Sequence, residues 1–213
     1  LAVVHNARNC VQQLIEAKFS LRARDIKGLT PLLLAMRKKR FSIALQLVSA
    51  DEEGLAGVAC HDGLGPLHHC ASAKPQNGAE EIVYLHLLHC LVKRGCYIDA
   101  ANQAGETPLF LAALASNGVA VAFLCKQGAD PNSHTSEGLS PLFVATLNHS
   151  EEIVACLIRH GASVAETASK PHIQAALSKP GNEALHSMVM QGQAPPSTLG
   201  RSSDDVFANG GLR

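Results

Sequence analysis

The chain has 213 residues, 46% of them hydrophobic, with 6 Phe, 2 Tyr and no Trp, and its 18 basic residues balance its 18 acidic ones. A core built from Leu, Ala, Val and Ile favours helix-on-helix packing over a β-sandwich. Zero net charge argues against a protein that coats nucleic acid, and we expect no nucleic-acid partner. The sequence has no apolar run long enough for a membrane span, so we expect no transmembrane segment.

The charges are unevenly distributed along the chain, and the cysteines indicate its cellular compartment. Residues 1–50 carry 9 basic and 2 acidic groups, whereas residues 51–213 carry 9 and 16, so the amino-terminal part is basic. Seven scattered cysteines, mostly among apolar neighbours, differ from the dense spacing of secreted disulfide scaffolds. We expect buried free thiols in a reducing compartment, which predicts a cytoplasmic location and allows a nuclear one. Because the chain opens with Leu1 directly into apolar sequence, we expect it to be a piece of a longer polypeptide.

A motif of Gly, two variable residues, Pro and Leu occurs four times, with its glycines 35, 42 and 33 residues apart. Each copy is followed by small and apolar residues and then by a second apolar stretch. A period of this length is typical of repeat proteins. The four copies are Gly28–Leu32, Gly63–Leu67, Gly105–Leu109 and Gly138–Leu142.

One period predicts a pair of helices. Thr or Ser before the proline is suited to capping a helix, and proline fits the first helical position because that position needs no N–H donor. Ile153, Val154 and Leu157 form the apolar stripe of a second helix. Gly128 and Gly161 stand where that helix should end. Each period therefore predicts a helix, a turn, a second helix and an extended link.

The 33-residue step, the Gly-x-Thr-Pro-Leu start and the Gly-Ala-Asp-Pro-Asn exit closely resemble the ankyrin repeat. The resemblance implies an all-α solenoid of helix-turn-helix units with short β-hairpin fingers. Fingers and first helices would line an inner, concave surface on which partners dock. It covers residues 1–192, and we expect a disordered tail at 193–213, which is rich in Pro, Ser and Gly. The expected units are 1–24 (partial), 25–59, 60–101, 102–134, 135–167 and 168–192 (a degenerate cap).

Three departures from the repeat carry their own predictions. The unit that opens at Gly63 is nine residues too long, and the surplus is expected in a loop at Lys74–Gly78 before a lengthened helix. Whether that unit is a hinge or an interaction loop stays open. The partial first unit should pack its second helix through Val11, Leu14 and Ile15, and the cap through Leu185, Met188 and Val189.

Enzymatic chemistry has little support in the sequence. There is no Gly-x-Ser-x-Gly elbow, no phosphate loop and no activated cysteine with an obvious histidine partner. The carboxylate pairs Glu80–Glu81 and Glu151–Glu152 open second helices, where they favour the helix dipole. The histidines and cysteines of the long unit lack the spacing of a zinc site, so we predict no metal, no cofactor and no enzyme. These residues are His61, His68, His69, Cys70, His86, His89 and Cys90.

The basic run Arg37–Arg40 is the strongest charged feature and has two interpretations. It is either a solvated helix end or a docking patch for an acidic or phosphorylated partner. The ankyrin register implies a set of partner-binding positions on finger tips and first-helix ends. They are Arg24, Ile26, Lys27, Arg37, Lys38, His61, Asp62, Ser72, Gln103, Ala104, Leu114, Ala115, Ser136, Glu137, Leu147 and Asn148.

The resemblance implies a monomeric, non-enzymatic protein-interaction module that acts as a scaffold or adaptor. Two alternatives stay open: a regulatory or substrate-recruiting segment of a larger enzyme, and recruitment to anionic lipid through the basic amino-terminal half. The resemblance also implies that His68 ties neighbouring fingers together, and Asn132 looks like the asparagine that is hydroxylated in many ankyrin repeats.

Overall fold

The computed structural model describes residues 2, 3, 5, 7–51, 59–169, 171–178 and 182–192. Regular structure in this part of the chain is entirely helical, in agreement with the all-α expectation. The helices are α1 (Arg8–Glu16), α2 (Pro31–Arg37), α3 (Phe41–Ala50), α4 (Pro66–Ala71), α5 (Gly78–Lys93), α6 (Pro108–Leu114), α7 (Gly118–Lys126), α8 (Pro141–Leu147), α9 (Glu151–Arg159), α10 (Val164–Ala168), α11 (Pro171–Leu177) and α12 (Glu183–Gln191).

The helices pack in two parallel rows. The first row runs α2, α4, α6, α8 and α11, and each member contacts the next; the second row runs α1, α3, α5, α7, α9 and α12 in the same way. Within a repeat, a first-row helix packs against the second-row helix that follows it, as α6 does on α7. Each helix pair thus buries its apolar flanks against its neighbours, and the result is a solenoid.

Local sequence sets where the first-row helices begin. Thr30, Thr107 and Ser140 accept hydrogen bonds from the backbone N–H three residues on, over 3.4, 3.3 and 3.2 Å. A proline follows each of them at the first helical position. The predicted capping by Thr or Ser is therefore confirmed at three of the four motifs. The fourth, α4, has Gly65 before its proline.

The long unit carries its extra residues as predicted. Residues 72–77 separate α4 from α5, and α5 runs for 16 residues. Asn77 caps it by accepting from the Glu80 N–H over 2.9 Å, and Glu80 and Glu81 lie in its first turn. Because Tyr84, Leu87, Leu88 and Leu91 of α5 are fully buried, the lengthened helix is part of the core.

Several expectations about the ends and links need correction. Leu14 is 40% exposed, so the apolar stripe of α1 is carried by Val11 and Ile15 alone. The extended link expected after Gly161 is the short helix α10, which packs on α8 and α12. No finger follows there to hold the link extended, and Ala and Glu favour helix. The buried stripe of α12 is confirmed. The tail at 193–213 and the link at 52–58 lie outside the described residues.

Candidate functional site: the finger face

Four five-residue turns project from the links before α2, α4, α6 and α8, and we call them fingers. In each, the first N–H donates to the fifth carbonyl, over 3.0 to 3.1 Å, but no β-strand flanks the turn in the described residues. The expectation of β-hairpins is therefore not confirmed, because the fingers are turns without strands. The fingers are Asp25–Leu29, Cys60–Leu64, Asn102–Glu106 and Thr135–Leu139.

In the first and third fingers, the side chain of the first residue accepts hydrogen bonds that hold the turn closed. Asp25 Oδ1 accepts from the backbone of Lys27 and Leu29, each over 2.9 Å, and Asn102 Oδ1 does the same for Ala104 and Glu106. The Leu29 N–H that bonds the Asp25 carboxylate is the main cause that lowers the pKa of that carboxyl. The first finger therefore carries a charged Asp25 at neutral pH.

Consecutive fingers are hydrogen-bonded to one another. Gln103 donates its backbone N–H to the Asp62 carbonyl over 3.2 Å and its side-chain amide to the His61 carbonyl over 2.7 Å. Ser136 donates its backbone N–H and its hydroxyl to the Ala104 carbonyl, both over 2.9 Å. Arg24 reaches the Ala59 carbonyl over 3.0 Å. The second, third and fourth fingers are therefore joined to one another, and the Arg24 bond links the residues that precede the first and second fingers.

The fingers approach so closely that a glycine is required at one contact. Gly105 has φ of +74°, and a Cβ added there would lie 2.8 Å from the Ser136 nitrogen. Such a separation is shorter than any normal contact. Gly105 thus supports both the turn and the spacing between the third and fourth fingers.

His68 connects a first-row helix to the next finger, as the resemblance implied. Its Nδ1 accepts from the Gly65 N–H over 3.0 Å, which leaves the proton on Nε2 to be donated to the Glu106 carbonyl at 3.2 Å. Burial lowers the pKa of His68 and keeps the ring neutral. The predicted tie between neighbouring fingers is confirmed.

The ends of the first-row helices form a ridge beside the fingers. Six residues after the helix-opening proline come Arg37, Ser72, Leu114 and Leu147, and all four are exposed. Leu114 and Leu147 are 47% and 38% exposed, although apolar. The Asn148 amide donates to the Leu114 carbonyl over 2.9 Å and so joins two steps of the ridge. We call the fingers and this ridge together the finger face.

Arg37 lies between the first finger and the second first-row helix. Its charge contributes to lowering the pKa of Asp25 in the finger before it and that of His69 on α4. The main cause at His69 is burial, which together with His68 and Arg37 brings its pKa to about 4. Exposed Arg24, Lys27 and Lys38 complete a basic patch with Arg37 at the amino-terminal end of the finger face.

The structure places the predicted partner-binding residues on this face, and only Ala115 among them is half-buried. Ile26, at the tip of the first finger, is 95% exposed. The side chains of Arg24, Gln103, Ser136 and Asn148 bond neighbouring repeats, which the sequence did not indicate. Their role in binding a partner stays a prediction.

Asn132 lies just before the fourth finger, where its exposed side chain joins two repeats. It donates to the Gly161 carbonyl over 3.0 Å and accepts from the Ser163 N–H over 2.7 Å. Hydroxylation of Asn132 stays a prediction, because these contacts do not test it.

The histidines and cysteines of the long unit do not gather into a metal-binding group within the described residues. One such group occurs elsewhere in that part of the chain: Cys125, Cys156 and His160. The expectation that no activated cysteine has an obvious histidine partner is therefore wrong, since Cys156 Sγ lies 3.9 Å from His160 Nδ1. The partner was missed because it is four residues along the same helix. Of the seven free cysteines, Cys10 is exposed, Cys90 is half-buried and the other five, Cys125 and Cys156 among them, are buried.

The fold and the finger face define a repeat protein whose working surface is open and continuous. A family model described as ankyrin repeats in three copies matches residues 76–168. Residues 76–168 are therefore ankyrin repeats, and ankyrin repeats are in general protein–protein interaction modules that are typically not enzymes. No curated protein matches the chain. No helix among the described residues is long and apolar enough to cross a membrane.

Proposed function

We propose that the finger face binds an extended protein segment that carries acidic or phosphorylated side chains at one end and apolar side chains at the other. The observation that carries this proposal is the change of character along one continuous ridge, from the cation Arg37 through Ser72 to exposed Leu114 and Leu147. A ligand that follows the ridge meets charge first and apolar surface later.

The basic patch is suited to recognising anions. Arg37 ends α2, and exposed Lys38 directly follows it. A guanidinium presents paired N–H donors to a carboxylate or a phosphate, and nearby lysines add attraction at longer range. Ile26 at the adjoining finger tip offers a fully exposed apolar contact beside these charges.

The later part of the face provides specificity. Leu114 and Leu147 occupy the same position of consecutive repeats, so their exposed side chains form an apolar patch on the finger face. Apolar anchors contribute most of the binding energy of such interfaces when a partner covers them. Acidic Asp62 and Glu137 on the second and fourth fingers would disfavour a uniformly acidic ligand.

In this role the protein acts as a monomeric scaffold or adaptor. Seven free cysteines support a reducing compartment such as the cytoplasm. The same face would serve equally as the recruiting segment of a larger enzyme, because the binding chemistry is identical in both settings.

The test is selection from a random-peptide display library, with and without enzymatic phosphorylation, on the full chain. We expect enriched peptides in which acidic or phosphorylated residues stand at one end and Leu or Phe at the other. Arg37→Glu/Lys38→Glu should weaken the selected peptide at least ~10-fold, measured by fluorescence anisotropy. The matched control is Lys93→Glu/Lys126→Glu, which makes the same charge change at the ends of α5 and α7.

Three results contradict the proposal. One is that both double variants bind the peptide as the native chain does. Another is that the control loses as much affinity as the patch variant, which would mean a general charge effect. The third is co-sedimentation with vesicles of phosphatidylserine and phosphatidylcholine that depends on Arg37 and Lys38 while no peptide is selected; that result would favour recruitment to anionic lipid.

A further inference from the structure

Two buried cysteines meet between consecutive helices of the second row. Cys125 lies on α7 and Cys156 on α9, and these helices pack against each other. Cys125 stands three residues before Gly128, whereas Cys156 stands five before Gly161. The offset of two positions turns the two side chains toward each other, which equivalent positions of two repeats would not do.

His160 completes the group from the same helix as Cys156. It follows Cys156 by four residues, so both side chains lie on one face of the helix end. The Cys125, Cys156 and His160 ligand atoms all lie within 4.8 Å of one another, and Cys156 Sγ is 3.9 Å from His160 Nδ1. Both cysteines are buried, while His160 is exposed and leaves a path from solvent.

These distances are near those of a tetrahedral metal site. With Zn–S bonds of ~2.3 Å and Zn–N bonds of ~2.0 Å, neighbouring ligand atoms lie about 3.4–3.8 Å apart. Side-chain rotations that move each atom by less than about 1 Å would therefore close the group around an ion. Backbone movement is not required, because all three residues lie on helices or at a helix end.

We propose that Cys125, Cys156 and His160 bind one Zn²⁺ ion between α7 and α9, with the fourth position open to water. Two sulfur ligands and one imidazole form a donor set that suits zinc, whereas harder cations prefer oxygen ligands. The thiols lose their protons on binding, and the two thiolates neutralise the charge of the ion.

Two neighbouring groups must adjust for this site to form. His160 Nδ1 lies 2.9 Å from the Cys156 carbonyl, so the ring now donates its Nδ1 proton there. On binding, the ring turns toward the ion and carries its proton on Nε2 instead. The charge of Arg159 faces Cys156 and opposes a cation, and the second thiolate from Cys125 offsets that repulsion.

The experiment titrates the reduced, chelator-treated full chain with Zn²⁺ by calorimetry and with Co²⁺ by absorption spectroscopy. We expect one ion per chain, sulfur-to-cobalt charge-transfer bands in the near ultraviolet, and the intense visible bands of tetrahedral Co²⁺. Cys125→Ser, Cys156→Ser and His160→Gln should each weaken Zn²⁺ by more than the ~10- to 100-fold that outer-shell changes cost. Zn²⁺ should also raise the Tm of the native chain but not of His160→Gln.

Matched controls come from α5, where Cys90→Ser and His86→Gln change the same residue types outside the group. Their Zn²⁺ affinity should equal that of the native chain. If circular dichroism shows that a cysteine variant does not fold, the Zn²⁺ affinity of His160→Gln, at an exposed position, decides whether the site exists. The proposal is overturned by absent charge-transfer bands, by equal losses in the controls, or by unchanged binding in His160→Gln. Non-reducing peptide mapping that finds a Cys125–Cys156 disulfide in protein purified without added reductant would overturn it as well.

Discussion

Asn117 donates a side-chain N–H to the Tyr84 hydroxyl over 2.9 Å, and that hydroxyl donates to the Cys70 carbonyl over 2.8 Å. Asn117 also donates to the Ala71 carbonyl over 3.0 Å and caps α7 by accepting from the Ala120 N–H. Three helices, α4, α5 and α7, are thus joined through two fully buried polar side chains. The network braces the long unit where α4 ends, directly before its extra loop.

Removing the Tyr84 hydroxyl should destabilise the protein without changing its shape. Tyr84→Phe keeps the edge-on contact with Phe41, whose ring centre is 5.1 Å away. It leaves a buried Asn117 N–H without its acceptor and removes one of the donors to the Cys70 carbonyl. We expect a loss of about 1–3 kcal/mol in the free energy of unfolding, measured by urea denaturation. Tyr97→Phe, at a position 82% exposed, should change it by less than ~0.5 kcal/mol. Equal effects of the two variants would show that the buried network adds nothing.

Close approach between the third and fourth fingers predicts unequal costs for two similar substitutions. Gly105 and Gly138 have φ of +74° and +72°, but only at Gly105 would a new Cβ meet the next finger, at 2.8 Å from the Ser136 nitrogen. Both alanine variants should lose about 1–2 kcal/mol from the backbone strain alone. Gly105→Ala should lose more, because the Ser136 hydrogen bonds to Ala104 must also lengthen.

Thermal unfolding of the two glycine variants side by side measures this difference. Hydrogen exchange at the Ser136 amide gives a local readout, and its protection should fall only in Gly105→Ala. If both variants lose the same stability and keep Ser136 protected, the contact between fingers does not contribute.

Local signals made the helix pairs predictable, because each signal acts within a few residues. Thr107 before Pro108, for example, caps α6, and the same two residues predict from the sequence where that helix begins. The prediction of an extended link after Gly161 was wrong. The sequence there continues the repeat pattern, but the link forms the short helix α10 at the one place where no finger follows it within the described residues.

Two kinds of contact between repeats could not be predicted from the sequence. Register predicted that Gln103 and Ser136 are exposed, but not that their donors are bound to the preceding finger. The Tyr84–Asn117 pair and the Cys125–Cys156 pair depend on how neighbouring helices face each other. Tyr84 and Asn117 are 33 residues apart, but the surplus residues before Tyr84 give the two side chains different positions in their units, whereas the two cysteines are 31 residues apart. A search for residues at equivalent positions therefore misses both.

A strained turn residue offers a stabilising substitution. His149 follows α8 with φ of +53°, a left-handed conformation that costs a residue with a Cβ about 1–2 kcal/mol. His149→Gly removes this strain, and the greater freedom of glycine in the unfolded chain takes back about 0.5–1 kcal/mol. We expect a net gain of roughly 0.5–1 kcal/mol by urea denaturation. At the preceding residue, Asn148→Gly should instead destabilise, because it deletes the hydrogen bond to the Leu114 carbonyl. A loss of stability in both variants would contradict the prediction.

His69 should make the protein less stable as the solution becomes acidic. Burial, helped by His68 and Arg37, lowers its pKa from 6.5 to about 4, and its Nε2 is buried without a hydrogen-bond partner. Above pH ~6.5 the ring is neutral in both states and pH has no effect through it. Between ~6.5 and ~4 the unfolded chain binds a proton that the folded chain refuses, so the free energy of unfolding falls by up to about 3 kcal/mol.

Replacing His69 by leucine should remove this pH dependence and stabilise the fold at neutral pH. The equivalent positions of the other first-row helices are Leu34, Leu111 and Val144, so an apolar side chain suits the site. Urea denaturation at about pH 7.5 and about pH 5 should show a smaller difference for His69→Leu than for the native chain, with a remainder from His68, whose pKa burial also lowers. His86→Gln, at an exposed position of α5, should leave the difference unchanged. In Arg37→Gln the pKa of His69, followed by NMR, should rise because one of the charges that lowers it is gone. An unchanged pKa would mean that Arg37 does not face His69, and the basic end of the finger face would then lie elsewhere than proposed.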